Sequence, residues 1–147
     1  MSVKEKMSAF IRFCRPHTIV ATSLQVSGIF FLVQGYQRFG QGGLAALLLT
    51  IVSALAVNLY VVGLNQVTDV EIDRINKPKL PLASGEYSMR QGQIIVVAAG
   101  ILAVGLAAAM GPYLLNTILL TLIIGSAYSL PPLHLKVRPV WAALSIA

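Results

Sequence analysis

Asn65, Asp69 and Asp73 are the residues of this chain best placed to do chemistry, recurring at every fourth position within Asn65-Gln-Val-Thr-Asp69-Val-Glu-Ile-Asp73. At roughly 100° per residue, an α-helix carries the three within about 80° of one another and turns Glu71 away. A helix C-terminus already bears partial negative charge, so two carboxylates stacked there call for a compensating cation. Two carboxylates and an amide oxygen form a hard donor set suited to Mg²⁺, which completes its octahedron with water and substrate phosphate. The plainer alternative is a solvated helix end whose acids face water. An apolar run before the motif and a basic loop directly after it favour the metal.

The elements that must hold this motif are membrane spans. The chain has 147 residues, a formal charge of +6 and 11% charged residues, with mean hydropathy +0.78. A soluble domain carries about a quarter charged residues. The fold class is therefore all-α, a multi-span transmembrane helix bundle. Its basic residues read as topology signals rather than a nucleic-acid footprint, and no nucleic-acid partner is expected. The single cysteine, Cys14, excludes an internal disulfide and any Cys-based metal cluster, and is read as an interfacial bystander.

Residues 1–15 carry Lys4, Lys6, Arg12 and Arg15 among Phe10, Ile11 and Phe13, as a short amphipathic segment on a membrane surface does. Pro16 opens a charge-free run to Gln37, long enough for one crossing at about 20 residues; Arg38 and the turn Gly40–Gly43 close it. The second span starts near Leu44 and stays uncharged until Asp69, so its last turns protrude or enter a polar cavity. Asn58 shares the face of Asn65, and its depth directs it to the bundle interior, as a helix-to-helix hydrogen bond or a substrate contact. Pro78 and Pro81 deny the helix continuation after Asp73, and Gly85 permits a turn. Ser88-Met-Arg-Gln91 fits a capping box. The third span is expected over about Gln93–Met110 and the fourth over about Tyr113–Leu130, separated by Gly111-Pro112. Eight apolar residues near the end, roughly 12 Å of helix, read as the start of a fifth. His17 and His134 are read as interfacial histidines, not ligands.

With a cytoplasmic N-terminus, ten of the eleven Lys and Arg residues lie inside, Arg38 being the exception. This positive-inside bias sets the orientation and brings Arg74, Lys77, Lys79, Lys136 and Arg138 to the side of the Asn/Asp motif. A cysteine placed in the Gly40–Gly43 turn is expected to react with an impermeant thiol reagent added from outside. Labelling only after permeabilisation overturns the orientation.

Acids that bind Mg²⁺, basic loops beside them and an apolar bundle beneath suit a ligand with a diphosphate head and a lipid tail. Metal-assisted departure of diphosphate leaves an allylic carbocation that an electron-rich acceptor can trap. Asn65-x-x-x-Asp69-x-x-x-Asp73, followed by Arg74-Ile-Asn-Lys-Pro78 and Leu82-Ala-Ser-Gly85, resembles the first aspartate motif of the UbiA-type intramembrane prenyltransferases. The fuller string from Asn58 to Ser88 is most similar to the homogentisate prenyltransferase branch. Tyr128-Ser-x-Pro-Pro-x-x-x-Lys136 is similar to the family's segment after the fourth helix.

The resemblance covers about residues 10–147 and implies that residues 1–147 form the N-terminal part of one nine-helix domain. It implies that Asn65, Asp69 and Asp73 hold Mg²⁺ and diphosphate, with Asp69 and Asp73 catalytic. Lys77, Lys136 and Arg74 would lie near phosphate, and Tyr128 and Asn58 along the substrate cavity. The reaction implied is prenyl transfer from a prenyl diphosphate to an aromatic acceptor such as homogentisate, in tocopherol or prenylquinone synthesis. The expected setting is a prokaryotic inner or thylakoid membrane, with the site facing the cytoplasm. Family members carry a second aspartate motif near the sixth helix. A second-half polypeptide is a possible partner, and residues 1–147 alone are expected to be inactive. CDP-alcohol phosphotransferases, another class with intramembrane aspartates, need an Asp-Gly-x-x-Ala-Arg segment that this sequence lacks. A small non-catalytic four-span protein binding a cation or lipid diphosphate remains the alternative.

Overall fold

Charge-free stretches and the residues that punctuate them set the helix ends. In the computed structural model, which describes residues 2–34 and 43–146, every regular element is helical. In chain order these are α1 (Val3–Cys14), α2 (Pro16–Gln34), α3 (Leu44–Thr68), α4 (Val70–Asn76), α5 (Met89–Met110), α6 (Pro112–Ser129) and α7 (Pro139–Ile146), with a 3₁₀ turn at Leu135–Val137 before α7. Of these, α2, α3, α5 and α6 are long and apolar enough to cross a membrane. The expected Arg38 and Gly40–Gly42 lie outside the described residues.

Local chemistry accounts for the boundaries. Ser88 accepts from the Gln91 N–H while Gln91 Oε1 accepts from the Ser88 N–H, so the anticipated capping box starts α5 at Met89. Ser2 and Glu5 form the same box at α1. Gly111, at φ +120°, provides the sharp reversal into Pro112, which occupies the first turn of α6.

Helix α3 is the central post, packed on α1, α2, α5 and α6. At 25 residues it is about 37 Å long. That exceeds a hydrocarbon core of about 30 Å, so its final turns reach the interface. Small side chains let α5 approach closely: Ala56 and Val57 of α3 meet Ala103 and Ala107 of α5 and Ile118 of α6. Ser53 Oγ adds a hydrogen bond to the Ala103 carbonyl at 3.1 Å, and Tyr60 Oη pairs with Ser126 Oγ at 2.7 Å.

The α1 helix is amphipathic as expected, with Met7, Phe10 and Ile11 left exposed, while its last turn docks on protein: Phe13 packs with Val70 and Leu82, fully buried. Arg12 is also ion-paired to Glu86, which binds Ser84. Cys14 is buried rather than interfacial. Burial pushes its thiol pKa up, keeping it protonated and unsuited to metal ligation.

Candidate active site

The motif does not lie on one continuous helix. Thr68 ends α3, and Asp69 leaves helical geometry at φ −110°, ψ 16° before α4 begins at Val70. The Thr68 hydroxyl bonds back to the Asn65 carbonyl at 3.0 Å, a local competitor to the helix ladder. Two main-chain bonds still cross the break, from Asp69 N–H to Asn65 O at 3.0 Å and from Asp73 N–H to Asp69 O at 2.7 Å. The fourfold spacing survives while the two carboxylates are aimed differently.

Asp69 faces a cavity of about 630 Å³ between α3, α6 and the 3₁₀ turn. Asn65, Lys77, Tyr128 and Lys136, all expected there, line it as well, together with Arg15, Val61, Val62, Thr121, Ile124 and Gly125. Lys136 Nζ donates to Asp69 Oδ1 at 2.5 Å and to Thr68 Oγ1 at 3.0 Å. Both ends of that ion pair are largely buried. Asp73 is not among the lining residues. It is 3% exposed, and its Oδ1 accepts from Lys77 Nζ at 3.1 Å. Lys77 therefore connects Asp73 to the cavity that Asp69 lines directly.

Two residues expected near substrate lie elsewhere. Arg74 points to the exposed side, where its Nη1 donates to both oxygens of Glu71 at 2.7 and 3.0 Å. Asn58 donates to Thr18 Oγ1 at 3.0 Å and borders a separate apolar cleft with Cys14, Ile19 and Leu55. It bridges α2 to α3, the helix-to-helix role open to a polar residue at that depth.

Arg15 is the residue that the sequence reading missed. It caps α1 in a left-handed conformation, φ 50°. The signal available was Pro16, because a residue before proline is displaced from the α region. Its Nη2 is buried without a partner among the described residues. Arg15 and Lys77 also border a second cavity of about 380 Å³, where Arg12, His17 and Lys79 add further basic side chains. Counting Arg15, Lys77 and Lys136 against Asp69 and Asp73, three positive charges less two negative leaves an excess of one positive. The cavity attracts an anion before any metal is added.

The donor chemistry fits Mg²⁺. Among the described residues no three His, Cys, Asp or Glu side chains cluster as a closed metal cage. Mg²⁺ does not need one, being held by one or two carboxylates plus phosphate oxygens. Asp73 Oδ2 is buried without a partner among the described residues, which is costly unless a ligand completes it.

Comparison with known proteins identifies the family. The sequence profile of the UbiA prenyltransferase family matches residues 24–147. A homogentisate phytyltransferase from Synechocystis sp. is 43% identical over 143 residues, an alignment covering 95% of this chain and 46% of that protein. Homogentisate phytyltransferase 1 from Arabidopsis thaliana is 40% identical over 149 residues, covering 99% of this chain and 38% of that protein. The chain thus spans less than half the length of these curated relatives. A solved UbiA homolog from Archaeoglobus fulgidus, bound to GPP and Mg²⁺, superposes with a TM-score of 0.70 at 24% identity, covering 85% of this chain and 44% of that one. The four long apolar helices are those of an integral membrane protein, and the chain belongs to the UbiA prenyltransferase family.

Proposed function

We propose that this chain forms the N-terminal part of a single Mg²⁺-dependent prenyltransferase domain, which moves a prenyl group from its diphosphate to a homogentisate-like aromatic acceptor. One observation carries the reading: a single cavity holds Asn65, Asp69, Lys77, Lys136 and Arg15 at the interfacial end of α3, with Val61, Val62, Ile124 and Gly125 deeper in the bundle. A polar, charged mouth over an apolar floor matches a ligand with an anionic head and an isoprenoid tail. The family match and the homogentisate-specific relatives support the same substrate classes.

Asn65, Asp69 and Asp73 are assigned to hold the metal. When bound, Mg²⁺ supplies charge that stabilises the departing diphosphate. Lys136, Lys77 and Arg15 surround the phosphates and neutralise what the metal does not, from positions fixed before the reaction. The allylic C–O bond breaks with its electron pair leaving on diphosphate. The aromatic carbon then forms the new C–C bond and expels a cationic substituent, a proton in the simplest case. Tyr128 and the apolar floor exclude water from the cation. The excess of basic side chains around the motif supports a cytoplasmic face for this site, and a second-half polypeptide or segment would supply opposing charge.

Membranes containing the complete protein, given Mg²⁺, phytyl or geranylgeranyl diphosphate and homogentisate, are expected to form a prenylated quinol, and EDTA to abolish it. Product formed equally well under chelation overturns the metal assignment. Diphosphate binding with no transfer overturns the enzymatic one.

A further inference from the structure

Asn65 and Gln66 are neighbours in the motif but face about 100° apart on α3. Asn65 lines the cavity, whereas Gln66 is 1% exposed and directed at α1. Its Nε2 donates to the Phe13 carbonyl at 2.8 Å and, more weakly, to the Val62 carbonyl at 3.4 Å. The Phe13 carbonyl is among the last four of α1, which have no partner inside their own helix. The Phe13 ring packs beside the same turn of α3: a Cβ built on Gly63 would stand 3.0 Å from its Cε1 and 2.8 Å from Val96 Cγ2, so a side chain there would force its neighbours to shift. Two residues further along the chain is Arg15. Its N–H bonds to the Arg12 carbonyl at 3.2 Å, and its guanidinium lines the cavity with Nη2 buried and unpartnered among the described residues.

We propose that Gln66 is a positioning residue for Arg15: by holding the Phe13 carbonyl, it fixes the corner between α1 and α2 so that the guanidinium stays at the mouth of the cavity containing Asp69. This rests on the reading of that cavity as a diphosphate site. The position requires a donor. A glutamate there would set a carboxylate against a carbonyl, and a leucine would leave the carbonyl unbonded in a buried site. Gln66 itself does not line the cavity, and any effect on substrate therefore passes through Arg15.

The test uses the complete protein in nanodiscs. Affinity for geranylgeranyl diphosphate is measured for Arg15→Ala, Gln66→Leu and the double variant, with the uncharged alcohol geranylgeraniol as control. Each single variant is expected to weaken diphosphate binding about tenfold, the scale of one charge-assisted hydrogen bond. The double variant should be no weaker than Arg15→Ala alone, and Gln66→Leu should leave the alcohol's affinity unchanged. Losses that multiply in the double variant, or that extend to the alcohol, overturn the proposal. Should Gln66→Leu fail to insert, Gln66→Met, which keeps the length of the side chain and loses the donor, carries the same comparison. A second measurement needs no ligand. Spin labels at Ile11→Cys and Gln93→Cys in a Cys14→Ala background should give a narrow distance distribution that broadens with Gln66→Leu. An unchanged distribution overturns the tie. Absence of any diphosphate binding by the unsubstituted protein overturns the cavity reading instead, and the spin-label distances then decide the tie by themselves.

Discussion

Asp69→Asn and Asp73→Asn, each made in the complete protein, are expected to lower kcat by at least about a hundredfold, or about 2.7 kcal/mol of transition-state stabilisation. Each substitution removes a negative oxygen that a hard cation needs and leaves a lysine facing an amide. At Asp69 that lysine is Lys136, 2.5 Å away in a largely buried pair. At Asp73 it is Lys77, and the buried second oxygen, without a partner among the described residues, loses its charge. Glu71 provides the internal control. It is exposed and paired to Arg74, so Glu71→Gln should change the rate by less than about threefold, as exposed ion pairs contribute little. Rates at saturating substrate, with thermal unfolding in detergent to confirm the fold, make the comparison. Equal losses at positions 69 and 71 would mean that the carboxylates act through overall charge rather than through the cavity.

Lys136→Met should lower kcat/KM for prenyl diphosphate by about a hundredfold, because a largely buried charge pair loses one member and Asp69 is left uncompensated. Much of that loss should appear in KM, since Lys136 reaches the cavity in which the diphosphate head is placed. Lys136→Arg should recover part of it by retaining the charge. In an Asp69→Asn background the same substitution should cost much less, because residues that bond directly are not additive. Lys79→Met, on the rim of the neighbouring basic pocket, should cost far less than Lys136→Met. Steady-state kinetics across these variants separate a specific contact from general electrostatic attraction, which would make the two lysines equivalent.

The spans were legible because composition and punctuation act locally. Pro16, Ser88 and Gly111-Pro112 set helix ends through their own backbone chemistry, and the uncharged run from Leu44 gave α3 its length. The pairing of Asn65, Asp69, Lys136 and Tyr128 in one cavity was also anticipated, in the last two cases through family resemblance. The break at Asp69 was not legible, since Thr68 and Asp69 carry no obligatory breaker and the fourfold backbone bonds persist through it. Facial arithmetic placed Asn58 with Asn65, but seven residues is about 10 Å along the axis, and Thr18 of α2 is what stands at that level. Arg74 was drawn to the site by its neighbours in sequence, while a three-residue helical step gave it to Glu71. Arg15 depends on the α1–α2 corner packing on α3, a long-range contact no local pattern encodes.

The docking of α1 also has a consequence for biogenesis. Its last turn packs on Val70 and Leu82, and Arg12 pairs with Glu86, 74 residues further along the chain. At about 5–20 residues per second, the partners of α1 emerge several seconds after α1 itself. During that interval the last turn of α1 lacks its partners Val70 and Leu82. The exposed Met7, Phe10 and Ile11 beside Lys4 and Lys6 give it an alternative bed at the lipid headgroups. The membrane surface is then a waiting place for α1, and docking on α3 and the loop beyond it marks the moment when the basic mouth of the cavity is assembled.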